Sequence, residues 1–471
     1  MMHAKLPTLC YVLLIVLFYY IEEGIQYPAT IRLLENAICH QHYARAGDTN
    51  LPVDETLCKI GVVQDRLAFI RGWYSFWTTL PVLLLGTFFG DLADKFGRRR
   101  VLSLAVFGMI CGLAWVFVTC NFWDSLPLEL AWLTALCRCV GGGPFVAIAL
   151  YMTMASDLST DENRSQILYV VSAFKFGVEI IAPQLASVLL RHSLWLPYLI
   201  CGISLFMIFP CIAMMPETLP LKQASDAAFP SNFTESNTNP FSYMRFFTNK
   251  AVALGLVVDF LLQFRYNTLQ ILIPFISVRF SWAIEKAAKL LSIIPGVSLI
   301  LFVALTFLTD MLRRRWSLRP ARFNVLVLRA IIFALAAGVL LIAVSASIGA
   351  FVFALVIFAI GFNTRAPVLA YISGHIDPVH DTARLYTLIS ILDAFVHMAG
   401  SPLIEILWAR GLDIGGDWLA LPFIISGLFY LAALILAVLL PYPPTTDPSM
   451  VRNASREHSP LLATTGEEEE D

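Results

Sequence analysis

Nine ionisable side chains stand inside stretches of sequence that are otherwise apolar: Glu22, Glu23, Arg138, Lys175, Glu179, Asp259, Arg265, Arg365 and Asp393. Charges in such places can neutralise one another, hold a proton, or bind a charged solute. If the stretches cross a bilayer, each central charge costs about 2.5–3.5 kcal/mol on insertion scales, and nine cost on the order of 25 kcal/mol. A fold's net stability is only about 5–15 kcal/mol. These groups must therefore be paired, hydrated or protonated, which makes them candidates for binding a substrate or a proton. Lys175 and Glu179 stand four apart on one helical face and can neutralise each other. Glu22 and Glu23 point about 100° apart on a helix, so one of them faces an internal cavity. Arg138 is followed by Gly141, Gly142 and Gly143, which let a partner approach.

The elements that must carry these groups are membrane helices. The chain is 58% hydrophobic and 14% charged, with mean hydropathy +0.73, against about 45–50% and about 25% in soluble domains. A spanning helix needs roughly 20 apolar residues. Apolar runs lie near 7–32, 67–89, 101–120, 128–153, 166–190 and 195–215, then near 250–275, 287–309, 323–345, 349–371, 383–407 and 418–440. The predicted architecture is all-α and integral to the membrane: a six-helix half over 1–215, a cytoplasmic linker over 216–249, a second six-helix half over 250–441, and a disordered acidic cytoplasmic tail over 442–471. The linker's Pro, Ser, Asn and Thr content reads as unstructured. The first run continues through Glu22 and Glu23 with no small-residue cleavage site, so it reads as a retained span. Net charge is −2, which gives no electrostatic case for nucleic acid. Lys and Arg concentrate on the loops that share one side with both termini, which places the termini in the cytoplasm.

Between the second and third runs stands "GDLADKFGRRRVL". It resembles the cytoplasmic loop signature of the major facilitator superfamily, G-x-L-A-D-[RK]-x-G-R-[RK]-x-x-L, at Gly90, Leu92, Ala93, Asp94, Lys95, Gly97, Arg98, Arg99 and Leu102. "RCVGGGP" in the fourth run is similar to the family's R-x-x-Q-G-x-G at Arg138 and Gly142, with Gly141 in place of Gln. The stretch from Cys39 to Cys58, with "VQDRLAFIRGWY" after it, looks like fungal facilitators distantly similar to proton-coupled folate transporters. The resemblance implies twelve helices in two halves, with spans 1, 4, 7 and 10 around a central cavity. It implies a secondary transporter of a small organic solute working by alternating access, coupled to protons in symport or efflux, and acting as a monomer in the lipid bilayer. It also makes Gly90, Asp94, Gly97, Arg98, Arg99 and Asp157 a cytoplasmic gate, with both glycines in tight turns, Asp94 facing span 11 and Arg98 bridging to Asp157. The second-half counterpart "TDMLRRRW" keeps Asp310 and the arginines and reads as an anchor.

Transport direction stays open. Proton-linked antiporters of the family carry G-P-x-x-G-G in span 5, and here "APQLAS" keeps the proline but none of the glycines. Cys39 and Cys58 fall in an outer loop and are expected to form a disulfide, while the other cysteines lie in spans. Neither "CHQH" (Cys39, His40, His42) nor "HIDPVH" (His375, Asp377, His380) supplies a complete metal-ligand set, and no P-loop or nucleophile elbow appears. No cofactor or metal is expected. The rival readings are a membrane-embedded enzyme, which would need clustered His or Cys, and a non-transporting sensor, which would need a large soluble extension.

The tail adds one signal. Glu457 stands four residues before Leu461–Leu462, similar to the acidic dileucine pattern read by sorting adaptors. That implies an adaptor partner and a vacuolar membrane, with the plasma membrane as the default. The sequons at Asn163, Asn232 and Asn453 all fall on the cytoplasmic side of this topology and should carry no glycan.

Overall fold

Long apolar runs without internal water partners must satisfy their backbone inside one helix each, and the described residues do so twelve times. The computed structural model describes residues 2–45, 54–158, 164–216, 246–316, 320–373, 375 and 382–441. The spanning helices are α1 (Thr8–Arg45), α2 (Gly61–Phe96), α3 (Arg98–Asn121), α4 (Leu128–Asp157), α5 (Gln166–His192) and α6 (Leu196–Met214), then α7 (Lys250–Arg279), α8 (Ile284–Ala304), α9 (Asn324–Val344), α10 (Ile348–Ser373), α11 (Leu388–Ile414) and α12 (Gly416–Leu439). Most of the expected linker, all of the expected tail with Glu457, Leu461 and Leu462, the three sequons, and the side chain of Asp310 lie outside the described residues.

The first six helices pack mainly on one another, as do the last six. In the first set α1 contacts α5 and α6, and α3 contacts α4 and α6; in the second, α7 contacts α11 and α12, and α9 contacts α10 and α12. Two seams join the sets, one between α2 and α11 and one between α5 and α8. The seam helices and the central helices carry the ionisable groups.

Three expectations are corrected. The first helix does not end near 32 but runs to Arg45, so Cys39 sits on a helical turn rather than in a loop; residues 33–45 contain neither Gly nor Pro to stop it. The fourth span is not continuous. It breaks at residues 139–142, where Gly141 (φ +83°) meets the backbone of Ala105 with a spacing that a Cβ would violate. Finally, Gly90 makes no tight turn: it lies within α2 with open space beside it. Gly97 (φ +93°) alone turns the chain between α2 and α3, its N–H donating to Ala93 O at 3.0 Å.

Candidate functional site

On α1, the adjacent carboxylates separate by environment. Glu22 is 3% exposed, whereas Glu23 is exposed and makes no ion pair among the described residues. One residue further on, Gly24 packs against Ala182 of α5 so closely that an added Cβ would lie 2.5 Å from the Ala182 Cβ. This contact brings α5 against α1 and sets Lys175 beside Tyr20, its Nζ 5.1 Å from the ring centroid. Lys175 Nζ also pairs with Glu179 Oε1 at 3.5 Å, both side chains about a third exposed. Glu23, Lys175 and Glu179 thus share one electrostatic neighbourhood on the wall between the two sets. Tyr20 and Tyr151 of α4 complete it with a hydroxyl–hydroxyl hydrogen bond of 2.7 Å. Arg138 lies apart from that cluster, donating from Nη1 to Thr78 O at 3.1 Å.

The second set builds a deeper cluster. Asp259 and Arg265 of α7 are each 1% exposed. Arg265 donates to Leu262 O at 2.9 Å, and its guanidinium lies over Tyr266 and Phe362 at 4.6 and 5.5 Å. Arg365 of α10 forms an ion pair with Asp393 of α11. Gln263 lies near both carboxylates, Asp259 and Asp393, with its own Nε2 buried and without a hydrogen-bond partner. One oxygen of each carboxylate, Asp259 Oδ2 and Asp393 Oδ1, has no hydrogen-bond partner. Buried polar atoms left in this way each carry a desolvation cost of about 1–3 kcal/mol. Among the described residues no hydrogen bond or ion pair joins the two clusters: the structure groups Glu23 with Lys175 and Glu179, and Asp259 with Arg365 and Asp393.

At the α2–α3 turn, Arg98 pairs with Asp157 at the end of α4 and donates to Thr153 O at 3.4 Å. Arg99 donates to Ala213 O, at the end of α6, at 3.0 Å. Asp94 is 71% exposed, 4.0 Å from Arg98. Cys39 and Cys58 are bonded, with a Cα–Cα separation of 5.4 Å. His40 stacks on Trp123, and no group of three or more His, Cys, Asp or Glu that could hold a metal occurs among the described residues.

Sequence reasoning missed the residues that join the two sets. Arg71 of α2 donates from Nη2 to Gln270 O of α7 at 2.6 Å and pairs with Glu405 Oε1 of α11 at 3.2 Å, the two side chains being 9% and 3% exposed. Tyr27 donates to the same Gln270 carbonyl at 2.6 Å. Arg191 pairs with Glu285 at 3.1 Å, and Gln184 donates to Ser292 Oγ at 3.0 Å. The Ile284 N–H donates to Glu55 Oε1 at 2.8 Å. Burial pushes the Glu55 carboxyl up, but Lys59, Arg32 and that N–H outweigh it and hold it below the usual carboxylate range. Arg71 and Glu405 lie inside the predicted runs, where an ionisable residue was the available signal. Arg329 of α9 donates to Ala437 O and Val438 O at 3.0 Å and to Leu440 O at 3.3 Å, at the end of α12.

Comparisons with known proteins agree with this frame. The family model described as Major Facilitator Superfamily matches residues 69–401. A protein named MFS efflux pump atnC, from Emericella nidulans, is 29% identical over 429 residues, covering 87% of this chain and 83% of its own. The MFS transporter SAT21 of Stachybotrys chartarum is 24% identical, covering 93% and 96%. Among solved structures, a D-xylose–proton symporter superposes with a TM-score of 0.63 at 14% identity, covering 93% of this chain and 98% of that one. With the loop signature, twelve spans in two packed sets and a model match over most of its length, this multi-pass membrane protein belongs to the major facilitator superfamily.

Proposed function

We propose that the chain is a secondary transporter that moves a small organic solute by alternating access, with proton coupling, rather than a membrane enzyme or a sensor. The observation that carries this reading is the pair of ionisable clusters in the bilayer on facing helix sets, whose cross-set hydrogen bonds and ion pairs, among the described residues, gather at the end bearing the disulfide. A cavity closed at one end is what alternating access requires. In this reading residues 1–215 and 250–441 are the moving halves, 216–249 the linker and 442–471 the tail. The basic loops put both termini in the cytoplasm, so the clasped end faces outward. Glu23, Lys175, Glu179 and Arg138 meet the solute from the first half. Asp259, Asp393 and Arg365, with Glu22 opposite, are suited to a proton, because a carboxylate with an unpartnered oxygen gains most from protonation. Arg98, Arg99, Asp94 and Asp157, with the turn at Gly97, form the cytoplasmic gate; Gly90 is not needed there.

The relatives named as efflux pumps favour export. The close contact of Gly24 with Ala182 supports the same direction, since it restores through α1 the tight packing that "APQLAS" lacks within α5. Metabolite comparison between a deletion strain and its parent, inside and outside the cells, tests the function: one or a few organic solutes should accumulate inside the mutant. Unchanged pools under all conditions would remove the reading. Orientation has its own test. Endoglycosidase should leave electrophoretic mobility unchanged, and a shift would reverse the assigned sides. Moving the tail's Leu461 and Leu462 to alanine in a fluorescent fusion should redirect the protein from the vacuolar to the plasma membrane if the sorting signal operates.

A further inference from the structure

Where α2 meets α11, on the clasped end, the seam opens into a cavity of about 450 Å³ that neither cluster above uses. Pockets of about 300–1,000 Å³ hold small organic ligands. Its lining includes Asp65, Phe69 and Trp73 from α2, and Glu405, Arg410 and Asp413 from α11. Four features define what it would take. Glu405 is 97% buried by side chain (3% exposed), and while Oε1 is held by Arg71, Oε2 has no hydrogen-bond partner. Asp65, on the exposed rim, makes no ion pair among the described residues. The cationic side chains of the lining are already engaged, Arg66 by Glu129 and Arg410, at 3.9 Å, by Asp413. Lastly, Phe69 and Trp73 pack with Trp132 of α4 into an aromatic wall, at 5.9 and 6.5 Å between centroids.

We infer that this seam cavity is a second ligand site, for an ammonium group carried on a compact apolar body. A rim carboxylate without an ion pair and the free oxygen of a buried one, beside aromatic faces that attract a cation, select that chemistry. A carboxylate ligand would meet Asp65 and Glu405 as like charges. The ammonium sits between Asp65 and Glu405 and the apolar body lies against Phe69 and Trp73. Because Glu405 also holds Arg71, an occupant that draws the carboxylate toward itself weakens the clasp between the halves. The site lies outside the central space, so its occupancy is measured without transport. A free amine and the headgroup of an aminophospholipid share this chemistry.

Calorimetric titration of the full-length protein in lipid-free detergent, with phenethylammonium as probe, tests the site. One equivalent should bind. Glu405→Gln should weaken binding at least tenfold and Asp65→Asn several-fold, whereas Glu23→Gln in the central space should change it less than twofold. Asp65 is on the rim, so its variant reports the site even if Glu405→Gln fails to fold. Phenylacetate should not bind. The inference is overturned if no amine binds, if phenylacetate binds equally well, if Asp65→Asn binds normally, or if Glu23→Gln abolishes binding, which would assign it to the central space. Repeating the titration in nanodiscs identifies the source. A tenfold weaker apparent affinity in phosphatidylethanolamine than in phosphatidylglycerol assigns the site to the headgroup, and equal affinities assign it to the free amine.

Discussion

The two ends of the bundle use arginine differently. At the disulfide end Arg71 and Arg191 reach across from one helix set to the other, to Glu405 and Glu285. At the opposite end Arg98 pairs with Asp157 and Arg99 donates to Ala213 O, both in the first set, and Arg329 donates to the end of α12 in the second. The parallel is close: Arg99 of α3 meets a terminal carbonyl of α6, and Arg329 of α9 meets terminal carbonyls of α12. Cations there complement the negative end of the helix dipole and satisfy carbonyls that the helix leaves orphaned. The lesson is that the partners seen for the signature-loop arginines lie in the first set, whereas the hydrogen bonds and ion pairs seen between the sets, among the described residues, lie at the disulfide end. Among the described residues, the hydrogen bonds and ion pairs between the sets come from residues outside the signature.

The largest effect expected from breaking that contrast is at Arg71. Arg71→Ala leaves Glu405 buried without its cation, which costs about 3–5 kcal/mol. Thermal stability should fall by several degrees and cysteine probes placed on α7 should become reactive from the disulfide side. An unchanged melt with no gain in reactivity would mean the pair does not hold the sets. Next comes the signature loop. Arg98→Ala and Asp94→Asn should each lower transport at least tenfold while membrane abundance stays near wild type, and normal transport in both would end the gate reading. Arg329→Ala should cost stability rather than cycling.

A smaller change follows from removing the disulfide. Cys39 and Cys58 close a separation of 19 residues, and cross-links of that span are worth about 3 kcal/mol. Cys39→Ser with Cys58→Ser should loosen the disulfide end, seen as faster hydrogen exchange at residues 54–60, and leave the Arg98 end unaltered. The smallest effect is at Glu55. Its carboxyl is held below the usual range, so its contribution is complete above the ordinary carboxylate pKa of about 4.3. It is lost as the pH at the disulfide end falls through the lower folded value. Acidification at the disulfide end below that ordinary value should raise probe reactivity on the α8 start, and Glu55→Gln should flatten that pH dependence.

The spans and the signature loop were legible in the sequence because hydropathy and a charged, glycine-marked turn are local properties. The Lys175–Glu179 pair was legible for the same reason, being set by four-residue spacing. Arg71 and Glu405 were present in the predicted runs, but their partnership spans 334 positions of chain and depends on how α2 meets α11. The break in α4 was hidden because three glycines in sequence do not say which of them must take a left-handed conformation. Gly90 misled in the opposite sense: it shares the signature with Gly97, yet its place inside α2 asks nothing of its missing side chain.

The carbonyl of Gln270 accepts from both Tyr27 and Arg71. Main-chain oxygen cannot be removed by substitution, and it does not titrate. Side-chain clasps elsewhere at that end can drift as residues change over generations, but this meeting point is set by the path of α7 alone. Any homologue that keeps that path keeps a ready acceptor for whatever donors α1 and α2 come to present. The closed conformation therefore has one fixed hinge post on which the solute specificity of the rest of the cavity is free to vary.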